Sequence, residues 1–165
     1  MKALIIYGTR FGWTQKTVNT IAQDLIKEGY EVEVAQKLNK RQKAKISEYD
    51  LLIAGSSIVS GMWKSGIKKF LKKYGPKVRR LCIFVTSAGT LHYSMKNGMT
   101  FEQARDKALQ KYISPLVSRY NLNAFKTGIF GGQNGKGDNI KYNNWDEEQV
   151  RQWISSLVND SKEYN

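Results

Sequence analysis

The fold of this chain is decided by Ala3-Leu4-Ile5-Ile6-Tyr7-Gly8-Thr9-Arg10-Phe11-Gly12-Trp13-Thr14. Residues 3–7 form a continuous apolar run, which is typical of a strand covered on both faces of a parallel sheet. The residues after Thr14 carry an apolar stripe at helical spacing, so a helix is expected there. A strand, a short turn and a helix start predict a phosphate site, because the N–H groups and the dipole of the helix point at the turn. The hydroxyls of Thr9 and Thr14 add hydrogen bonds, so this site needs no metal.

The rest of the chain repeats this alternation of short apolar runs and amphipathic stretches. We predict strands over residues 2–7, 31–35, 51–57, 81–87 and 125–130. Five strands alternating with helices predict an α/β fold, a doubly wound five-stranded parallel sheet with helices on both faces. No Pro-, Gly- or Ser-rich linker divides the 165 residues, so we expect a single domain over residues 1–165.

Capping signals mark the starts of two helices. The pairs with capping-box spacing are Thr100 with Gln103 and Asn144 with Glu147. Pro115 is expected to bend or end the first of these helices, because proline lacks the backbone N–H that a helix interior uses.

Ligands of doubly wound sheets bind at the carboxyl ends of the strands. The loops at those ends are residues 9–14, 56–63, 87–93 and 131–144. The first loop lacks the Lys-Ser/Thr pair of a nucleotide-hydrolysing P-loop and the G-x-G-x-x-G pattern of a dinucleotide site. Asp50 precedes its strand, which argues against an acidic phosphate-accepting cluster, and Cys82 is not followed by the arginine of a phosphatase loop. What remains is a phosphate held by amides and hydroxyls.

Three of these loops resemble those of a known family. The pattern Thr9-x-x-Gly12-x-Thr14 is similar to the FMN phosphate loop of flavodoxins. Residues 89–93 resemble the flavodoxin loop in which a tyrosine, here Tyr93, stacks on the isoalloxazine ring. Residues 56–61 resemble the loop that covers the other ring face and contains a glycine whose peptide reorients. The chain is identified as a member of the flavodoxin family, which implies the strand order 2-1-3-4-5 and FMN as cofactor.

Within that family the chain is similar to the branch that contains the menaquinone-dependent protoporphyrinogen oxidases. The shared features are Ser57-Ile58-Val59-Ser60-Gly61, Gly131-Gly132 and Tyr142-Asn143-Asn144-Trp145. The oxidases carry a long basic insertion before the Gly-Gly pair, whereas here Phe130 runs straight into Gly131. This departure weakens the case for porphyrinogen oxidation.

The resemblance implies cofactor contacts in three loops, with no catalytic side chain and no metal ligand. The implied contacts are Thr9, Arg10, Phe11, Gly12, Trp13, Thr14, Ser56, Ser57, Ile58, Val59, Ser60, Gly61, Trp63, Thr86, Ser87, Ala88, Gly89, His92 and Tyr93. Trp13 stands where flavodoxins commonly have asparagine, so either its indole N–H donates or its ring covers the edge of the site. The inner flavin face is either aliphatic or covered by Trp63, and His92 either tunes the flavin or is a bystander.

The net charge of +13 is concentrated in acid-free segments. Residues 64–80, which we call the Lys-rich face, carry eight lysines and arginines. Such a field raises association rates with anionic partners. We therefore expect acidic redox proteins to dock on the Lys-rich face, and we regard nucleic acid or membrane phosphates as less favoured partners.

The function that these observations predict is electron transfer between redox partners by an FMN-binding flavodoxin, in steps of one or two electrons. Two alternatives stay open: an FMN-dependent oxidoreductase acting on a quinone or porphyrinogen-like substrate, and a basic flavodoxin-fold binding module without flavin. The chain shows neither a long apolar stretch nor a leader, so a cytoplasmic location is expected. We also expect a monomer. The single cysteine, Cys82, excludes an internal disulfide and is expected in the core.

Overall fold

A five-stranded parallel sheet in the order β2-β1-β3-β4-β5 forms the centre of the computed structural model, which describes residues 1–163. The strands are β1 (Lys2–Gly8), β2 (Glu31–Ala35), β3 (Leu51–Ser57), β4 (Leu81–Thr86) and β5 (Ala124–Phe130). Neighbouring strands pair in parallel throughout, so each connection crosses over the sheet. The predicted doubly wound architecture and the strand order that the family resemblance implies are both confirmed.

Seven α-helices connect or flank the strands in the described part of the chain. They are α1 (Trp13–Lys27), α2 (Lys40–Ala44), α3 (Ser65–Tyr74), α4 (Ala88–Lys96), α5 (Phe101–Ala108), α6 (Ser114–Arg119) and α7 (Glu147–Glu163). No helix among residues 1–163 is long and apolar enough to cross a membrane.

Consecutive residues of the central strands pack into two separate cores, one on each face of the sheet. Ile5 and Ile53 belong to the core that α1 and α7 cover, whereas Leu4 and Leu52 belong to the core that α3, α4 and α5 cover. Every residue of β3 and β4 is buried, which explains why residues 51–54 and 81–85 are continuous apolar runs. Cys82 is fully buried in β4, and burial raises the pKa of its thiol far above the ordinary value.

Phe84 is the largest side chain with no exposed surface, and a glycine on the neighbouring strand makes room for it. Gly55 pairs with Phe84 across β3 and β4, and a Cβ at Gly55 would lie 2.1 Å from the Cζ atom of Phe84. The Phe84 ring makes edge contacts with the rings of Phe130 and Trp153. These three aromatic side chains fix α7 against the sheet.

Of the two predicted capping boxes, the one at the start of α5 is confirmed and the one at the start of α7 is wrong. Thr100 accepts the backbone N–H of Gln103 at 3.2 Å and caps α5 as predicted. Asn144 does not cap α7, because its side-chain amide bonds to Gly132 and to Ala88 at the start of α4, whereas Asp146 Oδ1 accepts the N–H of Glu148. The Asn144 side chain, although it stands at capping spacing in the sequence, therefore makes a tertiary contact instead of a cap.

Pro115 lies where the sequence predicted an interruption. Helix α5 ends at Ala108, a π-helical turn follows over Leu109–Ile113, and α6 resumes the helix at Ser114. Pro115 is the second residue of α6 and has no N–H to donate to a carbonyl of the preceding turn. The wider π-helical turn ends directly before α6 begins.

The predicted loop over residues 131–144 contains a short antiparallel hairpin. Its strands are β6 (Gln133–Asn134) and β7 (Tyr142–Asn143), which pair with each other and not with the main sheet. We call residues 131–145 the hairpin segment. The hairpin segment lies at the carboxyl edge of the main sheet. Directly before it, the carbonyl of Phe130 accepts a hydrogen bond from the N–H of Ser87.

Candidate functional site

A cavity of about 730 Å³ opens at the carboxyl edge of the sheet, where the four loops were predicted to meet. Twelve of the residues that the resemblance assigned lie on its wall: Thr9, Phe11, Gly12, Trp13, Thr14, Ser57, Ile58, Val59, Ser60, Thr86, Ala88 and Gly89. Seven do not: Arg10, Ser56, Gly61, Trp63, Ser87, His92 and Tyr93. The wall also contains residues that the sequence prediction missed, namely Lys16, Gly132, Gln133, Asn134, Gly135, Lys136, Gly137 and Tyr142.

The loop after β1 presents free helix N–H groups to the cavity. Gly12 adopts the left-handed conformation with φ 87°, which glycine reaches without strain, and its N–H donates to Thr9 Oγ1 at 3.0 Å. No side chain caps α1 and no acidic residue lies in its first turn. An anion bound here therefore meets unsatisfied N–H donors at the positive end of the helix dipole.

Thr14 couples this loop to the end of β4. Its hydroxyl lies 2.7 Å from the hydroxyl of Thr86, and both side chains are buried. Because one hydroxyl of the pair donates to the other, the accepting hydroxyl keeps its own proton for a further hydrogen bond.

The loop after β3 supplies an aliphatic wall and an unpaired hydroxyl. Ile58 and Val59 line the cavity, and Val59 exchanges two backbone hydrogen bonds with Met62 at 3.0 and 3.1 Å. Ser57 Oγ is buried and has no hydrogen-bond partner within residues 1–163. A buried hydroxyl without a partner is costly, so a ligand that bonds to Ser57 would relieve that cost.

Ser56 and Trp63 turn away from the cavity. Ser56 Oγ accepts the N–H of Lys64 at 3.0 Å and donates to the carbonyl of Ser57 at 3.0 Å. The indole N–H of Trp63 donates to the carbonyl of Tyr112 at 3.1 Å, and its ring packs against the core. Of the two alternatives for the wall next to this loop, the structure therefore has the aliphatic one.

The loop after β4 is shorter than predicted, because α4 begins at Ala88. The side chains of His92 and Tyr93 lie more than one helical turn beyond that start, about 7 Å along the axis for Tyr93. Tyr93 is 57% exposed and is not on the cavity wall. The wall instead includes Tyr142, on which the His92 imidazole stacks with centroids 3.9 Å apart and planes 6° apart. The Tyr93 ring makes an edge contact with Tyr142, with centroids 6.1 Å apart.

Asn144 holds the hairpin segment against the cavity. Its Oδ1 accepts the N–H of Gly132 at 3.0 Å, its Nδ2 donates to the carbonyl of Ala88 at 2.9 Å, and its own N–H donates to the carbonyl of Gly132 at 2.9 Å. The contact leaves no space at Gly131, where a Cβ would lie 1.9 Å from the carbonyl oxygen of Asn144. The Gly-Gly pair and Tyr142 can be recognised in the sequence, but the sequence does not show that this segment contacts residues as distant in the chain as Ala88 and His92.

Two indole rings surround a lysine on the α1 side of the cavity. The rings of Trp13 and Trp145 have centroids 5.9 Å apart, and Lys16 Nζ lies 4.8 Å and 4.1 Å from them respectively. The ring of Trp13 forms part of the wall. The Arg10 guanidinium instead lies over the exposed Phe11 ring, 5.8 Å from its centroid.

The ionisable groups of residues 1–163 do not form a metal site. Within residues 1–163, no three His, Cys, Asp or Glu side chains converge as metal ligands would. The charged residues of the cavity wall in this part of the chain are Lys16 and Lys136. The wall therefore presents hydroxyls, amides, apolar side chains and two ammonium groups.

Comparison with known proteins agrees with this fold. A family model described as a flavodoxin domain matches residues 4–162. The curated protoporphyrinogen IX dehydrogenase [quinone] of Escherichia coli strain K12 is 28% identical over 81 residues, which are 49% of this chain and 44% of that protein. The alignment thus spans less than half of the curated relative.

Solved flavodoxins superimpose on almost the whole chain at low identity. A short-chain flavodoxin associated with a non-canonical PDU bacterial microcompartment gives a TM-score of 0.63 at 10% identity, covering 98% of this chain and 99% of that chain. Flavodoxin 1 from Bacillus cereus gives 0.60 at 14% identity, covering 96% and 98%. A flavodoxin from the domain Archaea gives 0.62 at 13% identity, covering 98% and 99%. These likenesses establish the fold, and the match of the family model over residues 4–162 shows that the chain belongs to the flavodoxin family.

Proposed function

We propose that this protein binds FMN in the cavity at the carboxyl edge of the sheet and transfers electrons between redox proteins. FMN is the cofactor of the flavodoxin family. The observation that carries the proposal is the composition of the wall, which combines a phosphate-type loop at the start of α1 with aliphatic and aromatic sides and a buried, unpaired Ser57 hydroxyl.

The residues present fit the two chemically different ends of FMN. The phosphate matches the free N–H groups of the first turn of α1 and the hydroxyls of Thr9 and Thr14. The flat ring matches the apolar and aromatic part of the wall, to which Val59 and Tyr142 contribute, and Ser57 offers an unpaired hydroxyl for a hydrogen bond. A volume of about 730 Å³ lies in the range of small-molecule sites, roughly 300–1,000 Å³.

Electron transfer is favoured over substrate-specific catalysis by the absence of acid–base groups from the wall. Among the described lining residues there is no Asp, Glu or His, so no side chain there is suited to take a proton from a substrate carbon or nitrogen at neutral pH. When bound, FMN supplies transfer of one or two electrons. The chain's own residues then bind the cofactor, exclude water from one side of it and leave an opening for a partner.

Stepwise reduction and turnover test this function together. The FMN-loaded protein is reduced in steps without oxygen while its absorption is recorded, and it is then mixed with ferricyanide as a one-electron acceptor. An electron carrier reduces only as much ferricyanide as the electrons stored on its FMN allow, and the reduction of ferricyanide then stops. Protein that takes up no FMN would contradict both flavin functions and leave the flavin-free binding module.

A quinone-dependent oxidoreductase is the second candidate function, because the partial match includes a relative named protoporphyrinogen IX dehydrogenase [quinone]. The same FMN-loaded sample is supplied with protoporphyrinogen and a water-soluble quinone. Continuous oxidation over many turnovers per FMN would support this candidate and contradict a pure carrier.

Replacement of Tyr142 is expected to weaken FMN binding more than replacement of Tyr93. Stacking of aromatic rings contributes about 0.5–1.5 kcal/mol beyond buried area, so Tyr142→Leu should raise the Kd for FMN about two- to tenfold and restore flavin fluorescence. Tyr142→Phe keeps the ring and loses only the hydrogen bond from Asn134 Nδ2, so it should behave as wild type within about twofold. A larger effect of Tyr93→Leu than of Tyr142→Leu would contradict this arrangement.

The Lys-rich face supports docking of an acidic redox partner next to the cavity. Helix α3 follows the loop that carries Val59 and Ser60, and it exposes Lys69, Lys72 and Lys73 to solvent. Residues 64–80 contain no Asp or Glu. Arg80, which the sequence grouped with this face, is instead buried and lies 5.9 Å from the centroid of the Phe125 ring.

Charge reversal on α3 is expected to slow electron transfer to an acidic acceptor. With an acidic plant-type ferredoxin as the probe, Lys72→Glu should lower the second-order rate at low salt by about tenfold, because electrostatic steering contributes about 10- to 1,000-fold in total. The matched variant is Lys107→Glu, which makes the same change of charge at an exposed residue of α5, outside the Lys-rich face. Equal rates for the two variants in a stopped-flow measurement would contradict docking on α3.

A further inference from the structure

We propose that Lys16, held between the indole rings of Trp13 and Trp145, binds the phosphate of the flavin and makes the cavity select FMN over riboflavin. The inference rests on the proposed binding of FMN and adds a specificity determinant to it. Phosphate loops built from amides and hydroxyls are neutral, whereas this one carries a fixed positive charge on its wall.

Lys16 occupies the phosphate side of the cavity. It lies in the first turn of α1 and shares the cavity wall with Thr9, Gly12 and Thr14. The other charged lining residue in the described chain, Lys136, lies on the hairpin segment. Lys16 therefore adds its charge where the free N–H groups of α1 already favour an anion.

The two indole rings restrict where the Lys16 ammonium can lie. Its Nζ is 4.8 Å from the Trp13 ring centroid and 4.1 Å from the Trp145 ring centroid, both within the range of cation–π attraction. Trp145 is fixed in turn, because its indole N–H donates to Thr17 Oγ1 at 3.0 Å. Trp13 packs against Gly132, where a Cβ would come within 3.4 Å of the Trp13 Cβ. The side chain has thus lost much of its freedom before any ligand binds.

The charge of Lys16 is not neutralised by a carboxylate. Among residues 1–163, no Asp or Glu oxygen lies within 4.0 Å of its Nζ, and the first turn of α1 contains no acidic residue. Lys16 is exposed, and the indole faces attract its ammonium without accepting conventional hydrogen bonds from it, so water accepts its N–H donors before a ligand binds. A phosphate dianion replaces that water and pairs with the charge, and riboflavin, which lacks the phosphate, does not.

The test compares the binding of FMN and riboflavin to wild type and to Lys16→Gln, with Kd values measured by flavin fluorescence at low and high salt. Loss of one charge-assisted hydrogen bond should raise the Kd for FMN about tenfold at low salt and leave the Kd for riboflavin within about twofold. The difference between the FMN Kd values of wild type and Lys16→Gln should be smaller at high salt, because salt screens the charge. Lys16→Arg should retain most of the preference for FMN. Lys27→Gln makes the same change of charge in the last turn of α1 and should bind as wild type.

Three outcomes would overturn the inference. An unchanged FMN/riboflavin ratio in Lys16→Gln would mean that the ammonium does not contact the phosphate. Equal losses for both flavins would mean that Lys16 only supports the indole pair, and Lys16→Met, which keeps an apolar stem between the rings, repeats the comparison without that loss of packing. Failure of wild type to bind FMN would overturn the proposed function as well, so the two failures are distinguishable.

Discussion

Gly131→Ala is expected to weaken FMN binding by about a hundredfold, although the substituted residue does not itself line the cavity. The added Cβ would lie 1.9 Å from the carbonyl oxygen of Asn144, and this neighbour is backbone that cannot rotate away. Residues 131 and 144 must therefore separate, which breaks the hydrogen bonds that join Asn144 to Gly132 and Ala88. Loss of three hydrogen bonds at about 1 kcal/mol each corresponds to about two orders of magnitude in Kd.

The same change would leave the sheet intact, so it separates the site from the fold. Gly131 lies after the end of β5, and the two cores do not include it. The matched control is Gly66→Ala in α3, where an added Cβ would meet no atom within 4 Å beyond the neighbouring residues and backbone of its own helix. We expect this control to bind FMN as wild type. Wild-type affinity in Gly131→Ala, measured by titration of the apoprotein, would contradict the role assigned to the hairpin segment.

Phe84→Ala is expected to lower the free energy of unfolding by about 3–5 kcal/mol, which is the usual range for removal of a fully buried phenylalanine. The cavity left behind would lie between Gly55 on the next strand and the rings of Phe130 and Trp153. Because Gly55 has no side chain, it cannot fill the space, and the loss should be near the upper end of the range.

Urea unfolding of the apoprotein measures this loss without interference from cofactor binding. The control is Phe11→Ala, which removes a phenylalanine that is 58% exposed and should change stability by about 0.5 kcal/mol or less. Equal destabilisation by the two variants would contradict the packing around Phe84. A native-state NMR spectrum of Phe84→Ala, recorded without urea, checks that the variant is folded before the comparison is made.

The sheet could be predicted because its central strands are buried on both faces. Such strands must be apolar at every position, as residues 51–54 and 81–85 are, and this signal needs no knowledge of distant contacts. The predicted end of β4 was one residue too late, at Ser87 instead of Thr86. The Thr9 to Thr14 loop was equally visible, because strand, glycine turn and helix follow one another in the sequence.

The missed parts of the site depend on contacts between residues that are far apart in the chain. Tyr142 reaches the cavity because Asn144 bonds to Ala88, 56 residues earlier, and no local pattern indicates that bond. Lys16 is held by Trp145, which comes from the other end of the chain. Tyr93 was predicted from a loop that the structure replaces with the first turns of α4. Its ring is not on the cavity wall but lies next to Tyr142, with centroids 6.1 Å apart, and its contact with the flavin stays a prediction.

FMN binding in the cavity of about 730 Å³ is tested most directly by calorimetric titration of the apoprotein with FMN. About 31 non-hydrogen atoms at about 0.3 kcal/mol each give about 9 kcal/mol, which corresponds to a Kd below about 1 µM. We predict saturation at one FMN per chain with an affinity in that range, lowered by Gly131→Ala and unchanged by Gly66→Ala. Absence of measurable heat and of any change in flavin fluorescence on titration of folded wild-type protein would contradict the central claim.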